Sequence, residues 1–369
     1  MANNEFAFNL LRKINDSQNV FLAPFSISQV FGMLFYGARG DTAKELRNAL
    51  GYQKADLPNN LVHVSFNLYM KEVLQNRNSS NGYDLNTANA IFVNQNFPLC
   101  FKYRKEVQDL YEASIRELDF ANDAGQSAEE INDWAKQKTN GKIDKILDHM
   151  SPSTLMVLLN AVYFKGIWKV PFDPRRTSEN AFYNNGMTSQ RKMVPMMSMT
   201  NRFFYTRFED FQALELPYKG DRISMLILLP GQPDGLQALE HSITPEKLSD
   251  ILEKLHISKL RVLLPKFEFQ FEKDLTQNII ALGANRIFRP GEADLSGMTS
   301  NPGLLVSKVI HKTVVQVNEE GSTATAVTKV HVSRSSPREF VVNYPFLFVI
   351  VERGSKSNMI LFLGRVNVL

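Results

Sequence analysis

Cysteine is nearly absent from this chain. Cys100 is the single one in 369 residues, so no intrachain disulfide can form and no cysteine-based zinc site can be built. GxSxG, HExxH, GxGxxG and the glycine-rich phosphate loop are all missing. The six histidines stand at 63, 149, 241, 256, 311 and 331, and none has metal-ligand spacing to another histidine or a carboxylate. The carboxylates are scattered, with no pair defensible as acid and base. These absences argue against an enzyme, a bound metal and a cofactor. No apolar run reaches membrane-spanning length. The net charge of +4 is small and spread out, which does not suggest nucleic acid. No repeat, low-complexity tract or long linker divides the chain, so one large domain over 1–369 is expected. A basic-then-apolar leader is also missing from the start. MANNEFAFNLLRKI instead enters an amphipathic helix with Phe6, Leu10, Leu11 and Ile14 on one face. That opening fits a cytosolic protein, or a mature secreted chain with Met1 in place of its leader.

With 44% hydrophobic and 22% charged residues, the composition is that of a soluble globular protein with a large core. After an apolar run at 19–27 the pattern turns helical through Val30, Met33, Leu34 and Ala38. Asp41 or Thr42 then reads as the cap of a further helix. A strand is expected at 86–94 and helices at 101–117 and 126–148, the latter with a Ser127/Glu130 capping box. Residues 155–164 are apolar almost throughout, which suits a strand buried on both faces. Asn160 interrupts that run, and a buried Asn must be hydrogen-bonded. The second half is rich in strands, at 202–207, 212–218, 223–230, 260–271, 304–317, 340–351 and 358–368, with helices near 245–255 and 272–282. Mixing without regular βαβ spacing argues an α+β fold. His311, alone within a strand, reads as a satisfied core residue. Lys102, Arg104 and Lys105 fit either a solvated helix face or a site for a heparin-like glycosaminoglycan. Asn15 and Asn78 head glycosylation triplets.

The segment NEEGSTATAVTKVHVSRSSP, 318–337, alternates small and β-branched residues. Ser322, Ala324, Ala326, Thr328, Val330 and Val332 form one parity, small or apolar enough to be buried. Thr323, Thr325, Val327, Lys329, His331 and Ser333 form the other, wettable except at Val327. This is the period of a strand with one covered face. Its end is polar, broken by Pro337, and offers Arg334 to a protease. The composition of a strand with the ending of a cleavable loop suggests two conformations, although a plain edge strand followed by a turn has the same pattern.

Several segments together resemble the serpin family. They are NVFLAPFSI at 19–27, LNAVYFKGIWKVPFDPRRT at 159–177, LPKFEF at 264–269, HKTVVQVNEEG at 311–321, YPFLFVI at 344–350 and FLGRV at 362–366. They follow in family order and span the whole chain; the segments look most like arthropod serpins, including secreted, tick-like salivary ones. The resemblance implies a single α+β domain of three β-sheets and eight or nine helices, with an exposed reactive centre loop at about 319–340. It also implies a monomeric, secreted, non-enzymatic inhibitor that traps a serine protease as a covalent complex by inserting the cleaved loop into the main sheet. Matching residues assign the hinge to Glu319, Glu320, Gly321, Ser322, Thr323, Ala324, Thr325 and Ala326. The breach falls to Trp168, Lys266 and Glu319, and the shutter to Ser26, Asn160 and His311. Ala23 stands where many members have Ser, which implies a thinner shutter network. Bulky Thr325, Val327 and Lys329 depart from the usual hinge alanines, but all lie on the outward parity.

Counting from Gly321 by the commonest family spacing puts Ser335 before the cut. Arg334–Ser335 is the better choice chemically, because a trypsin-like pocket carries an acid that pairs with Arg. It requires a loop one residue shorter on the hinge side. Ser335–Ser336 would suit an elastase-like enzyme. Lys329 and Arg338 lie at the wrong distances. A non-inhibitory serpin acting as a carrier is the reading from a different class.

Overall fold

The computed structural model describes residues 2–15, 17–55, 57–74, 82–112, 114–320, 337–353 and 358–369. The chain begins with α1 (Ala2–Arg12), whose Phe6, Leu10 and Leu11 are buried as their spacing requires, then β1 (Val20–Leu22). α2 (Pro24–Gly37) starts with proline in its first turn, where the missing N–H is not needed. It is mostly apolar and buried along nearly its whole length, the pattern of a central helix. α3 (Gly40–Ala49), α4 (Asn59–Leu74), β2 (Tyr83–Asn94), α5 (Phe101–Tyr111), β3 (Ser114–Leu118) and α6 (Ala124–Lys138) follow. β4 (Met156–Gly166) is buried at every position but Lys165. Next come β5 (Ser178–Tyr183), the 17-residue β6 (Arg191–Arg207), β7 (Phe211–Pro217) and β8 (Ile223–Pro230). Helices α7 (Leu236–Ser242) and α8 (Pro245–Lys254) lead to β9 (His256–Pro265), β10 (Phe267–Asp274), α9 (Thr276–Ala281) and β11 (Lys308–Val317). The chain closes with β12 (Arg338–Val341), β13 (Phe346–Arg353) and β14 (Asn358–Val366).

The nine α-helices among the described residues agree with the expected eight or nine. The strands form a five-stranded sheet ordered β10-β11-β4-β2-β3 and a nine-stranded sheet ordered β1-β14-β13-β8-β7-β6-β9-β12, with β5 paired on β6. Two of the three expected sheets are continuous because β6 is long enough to serve both. Its first six residues pair with β5 and its last four with β7. The main core lies between the two sheets and α2. A second cluster, with Ala88, Phe92, Leu159 and Ala161, is covered by Ile131 and Trp134 of α6.

Local expectations fail where a turn intervenes. The helix expected over 101–117 ends at Tyr111, because Glu112 takes a left-handed conformation with φ 49°. Residues 114–118 then pair in parallel with β2. α6 starts earlier than expected, at Ala124. Asp123, rather than Ser127, accepts the N-terminal N–H of Gln126. α3 has Arg39 at its cap position, with Asp41 and Thr42 in its first turn. The strand expected over 260–271 is two strands, β9 and β10, divided at Lys266.

Candidate functional site

In the five-stranded sheet β10 is antiparallel to β11, β11 is parallel to β4, and β4 is antiparallel to β2. β11 and β4 pair from Lys308↔Val157 to Gln316↔Lys165. At mid-height Asn89, Asn160 and His311 face one another across three adjacent strands, since Asn89 pairs with Asn160 and Asn160 with His311. Alternation sends all three side chains to the same side. There Ser26 arrives from α2, a helix packed on the sheet.

These groups satisfy one another. The Asn160 amide donates to Ser26 Oγ at 2.6 Å and to Asn89 Oδ1 at 2.5 Å. Ser26 Oγ donates to Asn89 Oδ1 at 2.9 Å, and Asn89 Nδ2 donates to Gln29 Oε1 at 2.8 Å. His311 Nδ1 lies 2.6 Å from Asn160 Oδ1. The His311 ring is fully buried, and desolvation lowers its pKa to about 3, so it is neutral. Nδ1 faces the Asn160 amide oxygen and Nε2 faces Phe21 O at 3.3 Å, both acceptors, so the one proton of the neutral ring serves one of the two. Phe21 O accepts from Thr313 Oγ1 at 2.5 Å. The expected trio is therefore brought together, and Asn89, Gln29 and Thr313 join it unforeseen. Asn89 carried the same cue as Asn160, an amide inside an apolar strand. Ala23 is buried beside Ser26 and borders a void of about 20 Å³.

At the end of β11 the chain is held before it leaves the sheet. Trp168 Nε1 donates to Asn318 O at 2.7 Å, and its backbone N–H to Glu320 O at 3.1 Å. The indole stacks on Tyr218 with centroids 4.6 Å apart. Lys266 Nζ is 3.0 Å from Glu319 Oε2, and Thr177 Oγ1 donates to Glu319 Oε1 at 2.8 Å. Burial alone would raise the Glu319 pKa. The bonds from Lys266, the backbone and Thr177 outweigh it and hold the carboxyl below its usual range. Lys165 pairs with Glu320. The expected Trp168, Lys266 and Glu319 thus form one contact set, to which Thr177, Tyr218 and Lys165 are additions.

A serpin (serine protease inhibitor) family model matches residues 1–368. The chain belongs to the serpin family. Iripin-5 of Ixodes ricinus is 38% identical over 100% of this chain and 94% of its own length. Human Serpin B3 is 36% identical over 99% and 97%. Intracellular coagulation inhibitor 2 of Tachypleus tridentatus is 36% identical over 100% and 90%. Uncleaved ovalbumin superposes with a TM-score of 0.91 at 29% identity, covering 100% of this chain and 99% of ovalbumin. Native tengpin, a thermophilic serpin, gives 0.87 at 28%, covering 100% and 93%.

Within this serpin, Glu319 and Glu320 are the expected hinge residues that lie among the described ones. Gly321 to Ala326, the Arg334–Ser335 bond and Asn78 lie outside them. Asn15 is exposed just beyond α1. On α5, Lys102 and Lys105 are exposed three residues apart, whereas Arg104 turns to Glu117 of β3. No group of three or more His, Cys, Asp or Glu that could hold a metal occurs among the described residues.

Proposed function

We propose that this serpin is a single-use inhibitor of trypsin-like serine proteases, attacked at Arg334–Ser335 and closed by insertion of its cleaved loop between β4 and β11. The observation that carries the reading is the parallel pairing of those two strands. A segment leaving β11 and folding back runs antiparallel to β11, and therefore also antiparallel to β4. Insertion makes every junction from β10 to β2 antiparallel, the slightly more stable pairing. The Ser322–Val332 parity supplies a face small enough to enter. A strand of about 13 residues at roughly 3.3 Å each spans on the order of 40 Å, enough to carry an acyl-linked protease across the molecule. Insertion must part His311 from Asn160, so the polar network is the latch that opens. Strand insertion of this kind is a general serpin device.

The decisive test mixes the protein with limiting and with excess trypsin, followed by denaturing gels and mass spectrometry. A covalent complex together with a 35-residue fragment, Ser335 to Leu369, is the expected result. A fragment starting at Ser336 keeps the mechanism and moves the site toward an elastase-like target. Cleavage by trypsin and by elastase with no complex overturns the inhibitor reading in favour of a non-inhibitory carrier.

A further inference from the structure

Away from the sheet, α2, α3, α4 and α5 enclose a cleft of about 800 Å³ that plays no part in loop insertion. Its floor is aromatic. Phe35 and Tyr103 are buried there, and the His63 ring lies 4.9 Å from Tyr36 and 5.3 Å from Phe35, centroid to centroid. The rings of the floor are uncharged at neutral pH: burial lowers the His63 pKa to about 4, and burial with the neighbouring Glu106 raises Tyr36 to about 12. The Glu106 carboxylate is engaged by the Tyr36 hydroxyl. His63 is only 5% exposed, with Nδ1 on the Tyr111 hydroxyl at 2.5 Å, which leaves Nε2 without a hydrogen-bond partner among the described residues.

The rim is cationic. Arg39 Nη1 donates to two backbone carbonyls, Tyr36 O and Ala38 O, and Lys102 is exposed at the start of α5. Among the described residues neither is paired with a carboxylate, whereas Lys44 on the same rim is neutralised by Asp41 at 2.9 Å. A neutral aromatic floor, a ring nitrogen with no partner among the described residues, and three cations without a carboxylate partner there (Arg39, Lys102 and Arg47, which donates to Asn59 Oδ1 and Leu57 O) make a site for a molecule with an apolar body and an anionic head. We infer that this cleft binds a small amphipathic organic anion. Its ring system packs on Phe35, Tyr36 and Tyr103, its sulfonate, carboxylate or phosphate sits between Arg39 and Lys102, and His63 Nε2 meets a polar atom of the ligand.

Cys100 lines the same cleft and is exposed there, so the single thiol of the chain reports occupancy. The probe is anilinonaphthalene sulfonate, followed by calorimetry and by the rate at which the neutral reagent N-ethylmaleimide alkylates Cys100. The expected result is one saturable site that slows alkylation. Affinity should fall about tenfold or more in the Arg39→Gln/Lys102→Gln double variant, a loss of about 1.4 kcal/mol. Lys138→Gln, at an exposed lysine ending α6, should bind as the parent does. Lys102→Gln is read separately, since its side chain has no hydrogen-bond or ion-pair partner among the described residues, and should show part of the loss with an unchanged melting curve. Absence of saturable binding overturns the inference. So does binding that neither protects Cys100 nor responds to the variants, and so does a heparin fragment that protects Cys100 as well as the probe, because the aromatic floor would then be idle.

Discussion

Asn160 holds three polar contacts in the middle of a sheet, and its neighbours have little else to turn to. Its replacement by Ala would leave Ser26, Asn89 and His311 short of partners in a region with no room for bulk water. Stranding buried polar groups costs about 1–3 kcal/mol each, so Asn160→Ala should lose about 2–4 kcal/mol, read from the urea midpoint at constant slope. His311 adds a pH dependence. Its folded pKa is about 3 and that of His63 about 4, both depressed mainly by burial, against roughly 6.5 unfolded. Between those values the unfolded chain binds protons that the folded chain refuses. The stability tied to both rings is therefore fully present above pH 6.5 and is lost as pH falls. Each contributes a slope of up to about 1.4 kcal/mol per pH unit. Urea unfolding from pH 7.5 to 5 should show this loss, and His311→Gln should flatten the curve; an unchanged slope would mean that His311 is charged in the fold.

At the scale of elements, the strands with an unmixed environment were legible. β4 and β8 are buried almost throughout, and their apolar runs announced it. The error at 112–118 has a different character. EASIREL suits a helix by composition, and only the left-handed turn at Glu112 and pairing with β2 make 114–118 an edge strand. Register was illegible for the same reason. His311 and Asn160 are 151 residues apart, and nothing in either segment alone says that they meet; family resemblance supplied that contact. Gln29 and Thr313 were invisible because their role depends on what packs against them. The loop's alternating parity, by contrast, is a property of sequence and makes a sharp test. Thr328 lies on the parity that must enter the sheet, and Thr325 on the one that stays out. An arginine at 328 would have to be desolvated during insertion, at a penalty of several kcal/mol. Thr328→Arg should therefore be cleaved with complex formation reduced about tenfold or more, each 1.4 kcal/mol in the insertion barrier counting tenfold. Thr325→Arg should trap trypsin as the parent does. The reverse order would place the parity, and with it the inserting face, one residue out of register.

For the whole molecule, a cut at Arg334–Ser335 divides the chain without dividing the fold. The carboxy-terminal 35 residues carry β12, β13 and β14; β13 is paired with β8 and β14, and β14 also with β1. The fragment therefore stays in the nine-stranded sheet under native conditions and separates only on denaturation. What changes is the other sheet. If the freed strand enters between β4 and β11, both strands gain a full-length antiparallel neighbour, and their single parallel junction disappears. Each new backbone hydrogen bond contributes about 1 kcal/mol net, which over a strand of about 13 residues outweighs the lost parallel pairing. Cleavage by a protease that is not trapped, such as a cysteine protease acting within 334–336, should raise Tm by about 10 °C or more. This measurement separates the two readings without a target enzyme: an inserted loop raises the melting temperature, whereas a carrier cleaved as an ordinary substrate melts where the intact chain does. It also bears on Asn160, because the inserted strand parts it from His311. Asn160→Ala should then destabilise the intact form by more than the cleaved one, and equal losses in the two would place the opening somewhere other than between β4 and β11.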